Sequence, residues 1–235
     1  MSEALDKVRG VRELPLFPLP LVLFPGVPLP LHIFEPRYRR MLADIRAGNN
    51  LFGLPQFDQE KAAAPRPPVG HVGCVAEVVE VQPLPDGRSN VLTVGIVRYR
   101  LDAYVDTGDP YLVGRVTCFE DEADDAEVLA ARAGRVSELF TRIARAVRTI
   151  NDDRTGLPDL PQTDPERLSF LVAAAMELDL DVKQELLEMR SAAERLARIG
   201  EMLAQVVGNY EERARAHKVA RKNGHAGKHI DLSDE

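Results

Sequence analysis

Cysteine is scarce in this sequence: Cys74 and Cys118 are the only two. No CxxC pair occurs, and both lie inside apolar runs of strand character. This argues against a disulfide framework or a zinc site and reads as two buried free thiols. Long apolar runs are missing as well, and none approaches the roughly 20 residues needed to span a bilayer. Residues 1–13 are charged and have no apolar centre of the signal-peptide kind. The expectation is a soluble, cytoplasmic chain with no membrane contact. There is no excess of positive charge either. The formal net charge is −7, residues 1–120 are close to neutral, and the acidic excess gathers in 121–215. Broad binding to nucleic acid needs a concentrated basic face, which this distribution disfavours. The sequence also lacks a GxxxxGK[ST] phosphate loop, an HExxH zinc helix and a GxSxG elbow. Gly227-Lys228 is followed by His229, not by serine or threonine. No catalytic, cofactor-binding or metal-binding residue is assigned. His217, His225 and His229 fall in a polar stretch that leaves them unpositioned as ligands.

Proline, by contrast, is abundant where it matters most. Between Leu14 and Tyr38 it stands at 15, 18, 20, 25, 28, 30 and 36. Each proline removes an amide donor and fixes φ, so no long helix forms here and a fully paired central strand is disfavoured. Leu, Val, Phe and Ile fill the gaps, so the stretch is too apolar for a solvated linker. It reads as short, edge-like strands that pack under something, with Phe24-Pro25-Gly26 as a turn.

The same residues carry a family resemblance. Leu14-Pro15-Leu16-Phe17-Pro18, Val22-Leu23-Phe24-Pro25-Gly26 and Leu29-Pro30-Leu31-His32-Ile33-Phe34-Glu35-Pro36-Arg37-Tyr38 resemble the opening of the Lon protease N-terminal domain, also called the LON substrate-binding domain. The portion from His32 to Tyr38 is closer to the stand-alone form. Gly73-Cys74-Val75-Ala76, Leu84-Pro85-Asp86-Gly87 and Gly95-Ile96-Val97-Arg98-Tyr99-Arg100-Leu101 follow in the family's order. Lys183-Gln184-Glu185-Leu186-Leu187-Glu188 with Arg195-Leu196 resembles its helical end. The likeness extends over residues 11–207 and implies a PUA-like β pseudo-barrel followed by helices, an α+β fold. From periodicity alone comes only an antiparallel, partly closed β domain.

In chain order, residues 1–12 read as a frayed terminus. Pro36 suits a first helical turn, and Tyr38, Met41, Leu42 and Ile45 then form one apolar stripe. Residues 51–57, 70–81, 90–105 and 111–120 read as strands. Residues 84–88 make a hairpin turn, and 58–69 a mobile loop. Gly95 marks a bulge or a close backbone approach. From Asp121 the pattern turns helical, through Val136, Leu139, Phe140, Ile143, Val147 and Ile150. A loop follows at 152–163, then a helix from Pro165, a short helix 182–189 boxed by Asp181 and Gln184, and a last helix through Leu196, Ile199, Leu203, Val206 and Tyr210. The expected division is a β domain at 11–120, a four-helix bundle at 121–215 and a flexible tail at 216–235.

The resemblance implies a non-catalytic module that recognises unfolded or extended protein segments, as an adaptor or chaperone-like binder beside a separate protease or chaperone. The ATPase and peptidase regions of full-length Lon are expected to be missing. Phe17, Leu19, Leu21, Phe34 and Phe57 are the expected peptide-contacting residues, beside a strand edge left open by the prolines. Such main-chain and apolar contacts are insensitive to salt. Glu35 and Arg98 are expected to be structural. Arg98 holds the family's recurring arginine position in a central strand, and a buried guanidinium needs a carboxylate, for which Glu35 is the candidate. His32, Glu35 and Tyr38 are also expected to be structural, not catalytic. An RNA-binding PUA-like protein is the alternative, with Arg37, Arg39, Arg40, Arg98 and Arg100 as its basic group.

Overall fold

The computed structural model describes residues 2–58, 63–152 and 163–225, with side chains to residue 220. It divides into two compact units, residues 1–123 with 169–192 and residues 124–168 with 193–235.

The first unit is built on six strands: β1 (Glu13–Leu16), β2 (Pro28–Ile33), β3 (Leu51–Pro55), β4 (Val72–Pro83), β5 (Ser89–Val105) and β6 (Leu112–Phe119). Their order is β2-β5-β4-β3-β1-β6, and β6 also pairs with β5. Five strands therefore close a ring, and β2 lies outside it. The length of β5 makes this possible. Its first half pairs with β2 (Leu29 opposite Thr93) and its second half with β6 (Tyr99 opposite Cys118), while β4 runs along its other side. The change of partner falls at a bulge, where the register with β4 slips between Val75 and Ala76. Gly95 is required there: a Cβ would lie 2.3 Å from the carbonyl oxygen of Phe24. The turn ahead of it, with Val27 N donating to Phe24 O at 3.2 Å and Gly26 at φ 78°, is the one expected from Pro25-Gly26.

Ring closure corrects the expectation for the prolines. β1 is not an edge, because it pairs in parallel with β3 and antiparallel with β6. The parallel ladder runs on past the strand, from Phe17 N to Gly53 O (2.8 Å), Leu19 N to Pro55 O (3.3 Å) and Phe57 N to Leu19 O (2.7 Å). Pro18 alternates with these donors, so its missing amide falls where the ladder does not use it, and Pro15 stands before the ladder to β3 begins.

Two apolar layers result. Inside the ring lie Leu14, Leu16, Leu51, Val75, Val97, Tyr99, Leu101 and Val116. Glycines make room for Tyr99, since a Cβ at Gly53 or Gly73 would come within 3 Å of its phenol. Outside the ring, helix α2 (Pro36–Ala47) packs Tyr38, Met41 and Ile45 against Phe17, Leu23, Ile33, Phe52, Leu54, Cys74, Val78 and Val91. The amino terminus is not frayed. Helix α1 (Glu3–Lys7) is capped by Ser2, Val8 packs into the ring's apolar layer, and Lys7 meets Glu77 at 2.8 Å.

The remaining helices are α3 (Ala126–Ile150), α4 (Pro165–Ala175), α5 (Leu180–Glu188) and α6 (Ala192–His225). The unit boundary falls inside α4, so its second half and α5 belong with the barrel rather than with the expected bundle at 121–215. The reason is Arg98, on the outer side of β5. Its guanidinium donates to Leu187 O (3.0 Å) and Met189 O (2.5 Å) at the end of α5, and Gln184 Nε2 donates to Val72 O (2.9 Å). Gln184 is thus a barrel contact, not half of a capping box: the N-cap of α5 is Asp179, without a side-chain bond.

In the second unit α3 and α6 run side by side in the same direction. Ala193 N donates to Asp124 Oδ2 (2.9 Å), Gly200 abuts Val136, Arg142 forks onto Glu211 (2.9 and 3.2 Å), and His217 lies 3.6 Å from Asp152. α6 continues to His225, so residues 216–225 are helix and not tail. The remaining tail residues 226–235, and parts of the two expected loops (59–62 and 153–162), lie outside the described residues. The end of the first loop is anchored: Tyr104 Oη donates to Pro67 O at 2.7 Å, and Arg66 stacks on the Tyr104 ring.

Candidate functional site

The five residues expected to contact peptide do not form one surface. Phe17 is core, with its ring 4.1 Å from Tyr38 and 6.2 Å from Phe52. Leu19 and Leu21 are half-buried against the same layer, and Phe57 is half-buried where its amide meets Leu19. Phe34 alone is exposed, at 58%. His32, Glu35 and Tyr38 diverge in the same way. His32 Nδ1 donates to Asn90 Oδ1 (2.8 Å), Glu35 pairs with Arg37 (2.9 Å), and Tyr38 is buried. Glu35 is not the partner of Arg98. That carboxylate is Asp121, at 2.5 Å, and the guanidinium stacks between Phe119 and Phe170.

The open strand edge belongs to β2. Gly95 N donates to Val27 O (3.0 Å), and Leu29, Leu31 and Ile33 continue this phase opposite Thr93, Val91 and Ser89. Strand alternation then turns the amide positions of 28, 30 and 32 to the open side. Two of the three are prolines, so the edge offers carbonyls but only one N–H, at His32.

Beside that edge is a three-stranded arm, β2 with the first half of β5 and the far end of β4. One face packs on the core through Ile33, Val91 and Val78. The other is set by the register: His32, Asn90 and Gln82 form one cross-strand row, and Pro30, Leu92 and Glu80 the next. These six exposed residues line a shallow concavity of about 370 Å³. Phe34 stacks on His32 at its end, with ring centroids 6.1 Å apart. The floor is apolar, from Pro30 and Leu92; the rim is amide, imidazole and carboxylate. No serine, threonine, cysteine or lysine is among the residues that line it.

A second concavity of about 450 Å³ lies at Glu13, Pro15, Asp44 and Asn49. Its acids are already satisfied: Glu13 meets Arg115 (3.5 Å), and Asp44 meets Arg40 (2.8 Å) and Tyr111 (2.9 Å). Hydrogen bonds from Arg40 and then Tyr111 hold the Asp44 carboxyl below its ordinary range. Elsewhere, burial pushes the Cys74 thiol up to about 12 and that of Cys118 to about 11, and no group of metal-ligating residues gathers among the described residues.

Sequence reasoning missed Glu80, Asn90 and Leu92. The period-2 pattern of residues 89–94 carried part of the signal, because it puts Asn90, Leu92 and Val94 on one face. The pairing of β2 with this segment, which completes the surface, has no local signature.

Residues 13–205 match the family described as the ATP-dependent protease La (LON) substrate-binding domain. A Lon protease of Brevibacillus choshinensis is 27% identical over 205 residues, 86% of this chain and 26% of that protein. Lon protease 1 of Syntrophobacter fumaroxidans is 30% identical over 79% of this chain and 23% of its own length. The chain thus spans about a quarter of the length of these relatives. Among solved structures, the N-terminal domain of a Mycobacterium avium complex Lon protease aligns with a TM-score of 0.64 at 17% identity, covering 82% of this chain and 98% of that one. A Lon N-terminal domain protein from Xanthomonas campestris aligns at 0.55 and 22%, covering 80% and 97%. At these identities the structural likeness speaks for the fold, and the matched residues for the family: the chain belongs to the LON substrate-binding domain family.

Proposed function

We propose that this protein is a non-catalytic recognition module of the cytoplasm that binds extended or unfolded protein segments, and that it delivers them to a separate protease or chaperone. The observation that carries the reading is the exposed outward face of the β2–β5–β4 arm, with Pro30 and Leu92 as floor and Phe34 at the rim. The family's substrate-binding designation supports it. The mode differs from simple strand addition. Prolines 28 and 30 withhold donors from the β2 edge, so side chains on the face, not a main-chain ladder, supply the affinity. Of the basic group an RNA-binding alternative would use (Arg37, Arg39, Arg40, Arg98 and Arg100), Arg98 is buried, and Arg37, Arg40 and Arg100 are paired with Glu35, Asp44 and Asp102.

Titrating the isotope-labelled protein with an unfolded casein peptide, followed by amide shifts, tests this. Perturbations are expected at Phe34, Glu80, Asn90 and Leu92. Perturbations confined to α3 and α6 would overturn it.

A further inference from the structure

We infer that the arm selects segments in which a basic side chain adjoins an apolar one. This rests on the peptide-binding reading above and specifies its substrate class. Three observations converge. Glu80 sits beside Leu92 on the exposed face, and its carboxylate makes no hydrogen bond or ion pair among the described residues. Two cations of the neighbouring segments are engaged elsewhere, Lys7 with Glu77 (2.8 Å) and Arg88 with Asp86 (2.6 Å). The β2 edge presents carbonyl oxygens at residues 28, 30 and 32 against one amide, so it favours a partner rich in N–H donors.

A lysine or arginine placed over Glu80 would meet its carboxylate, while the carbonyls of the β2 edge, two strands away across β5, would take N–H donors from elsewhere in the segment. Its neighbour in an extended segment would rest on Pro30 and Leu92. An acidic residue at the same place would face the Glu80 carboxylate. The contact is solvent-exposed, so discrimination is modest and fades with salt.

The test uses three fluorescent extended dodecapeptides, identical except for a central lysine, norleucine or glutamate, with affinities read by anisotropy. The lysine peptide is expected to bind about two- to fivefold tighter than the norleucine peptide at low salt, the scale of an exposed ion pair. The glutamate peptide is expected to bind more weakly than either. Glu80→Gln brings the ratio of lysine-peptide to norleucine-peptide affinity to about one, and 0.5 M salt does the same to the wild type. Equal affinity for lysine and norleucine peptides, or an advantage that survives Glu80→Gln, overturns the inference while leaving the binding face intact. Leu92→Ser separates the two readings. It is expected to weaken the norleucine peptide, and if that affinity is unchanged, or if no peptide binds, the face itself is wrong and the inference falls with it.

Discussion

The Arg98 guanidinium lies 2.5 Å from Asp121 Oδ1, and the two side chains are 1% and 2% exposed. Two charges so fully withdrawn from water depend on each other and on the carbonyls of Leu187 and Met189 for replacement of their hydration. Removing one leaves the other buried and uncompensated, at a cost of about 3–5 kcal/mol. Arg98→Met is therefore expected to lower the thermal midpoint steeply. The double variant Arg98→Met with Asp121→Leu is expected to recover part of the loss. Unfolding of the two variants beside wild type is the measurement, and an Arg98→Met protein as stable as wild type would refute the dependence.

Tyr99 gives a prediction of the opposite sign. Its ring fills the barrel between Gly53 and Gly73, but its hydroxyl is buried without a hydrogen-bond partner. An unmet buried donor costs about 1–3 kcal/mol. Tyr99→Phe keeps the packing and removes that group, so the midpoint is expected to hold or rise. Gly73→Ala drives a Cβ to 2.6 Å from the ring and is expected to destabilise strongly. Chemical denaturation of both variants checks the pair of signs.

The buried thiols make stability depend on alkaline pH. In the folded state Cys74 ionises near 12, against an ordinary value of 9.0, because burial disfavours the thiolate. Between these values the unfolded chain has released a proton that the folded chain retains. Stability is thus complete below about pH 9 and falls as the pH rises toward 12, with a slope of up to about 1.4 kcal/mol per pH unit from this group. Cys74→Ala is expected to flatten that decline, measured by denaturant midpoints at pH 8, 9 and 10. In the native wild-type protein at pH 8, Cys74 is expected to resist thiol reagents.

What the sequence made legible is local. Pro36 and the stripe Tyr38, Met41, Ile45 define α2 because one turn of helix brings these positions together. Asp86-Gly87 defines the hairpin because only a residue free to take φ 80° closes it. The burial of Arg98 follows from the family resemblance, which puts it in a central strand, but its partner does not. Asp121 lies 23 residues away, in a run of acids that reads equally well as the start of a helix. Phe17 reads as a surface residue because the prolines around it suggest an open edge. The edge is closed by β6, about a hundred residues later, and nothing near Phe17 encodes that. The binding face was hidden for the same reason: β2 and β5 supply alternate residues to it, and their register is a tertiary fact.

The pairing of β1 with β6, Glu13 opposite Arg115, also sets a timetable. During synthesis the amino-terminal apolar segment emerges long before the strand that completes its pairing. The ring cannot close until residues 112–119 have left the ribosome, so Leu14, Leu16 and their neighbours stay available to other chains throughout that interval. Loops of this span form late in folding, after the β4–β5 hairpin has already assembled from near neighbours. A protein proposed here to hold exposed segments of others therefore passes through a stage in which it exposes such a segment itself.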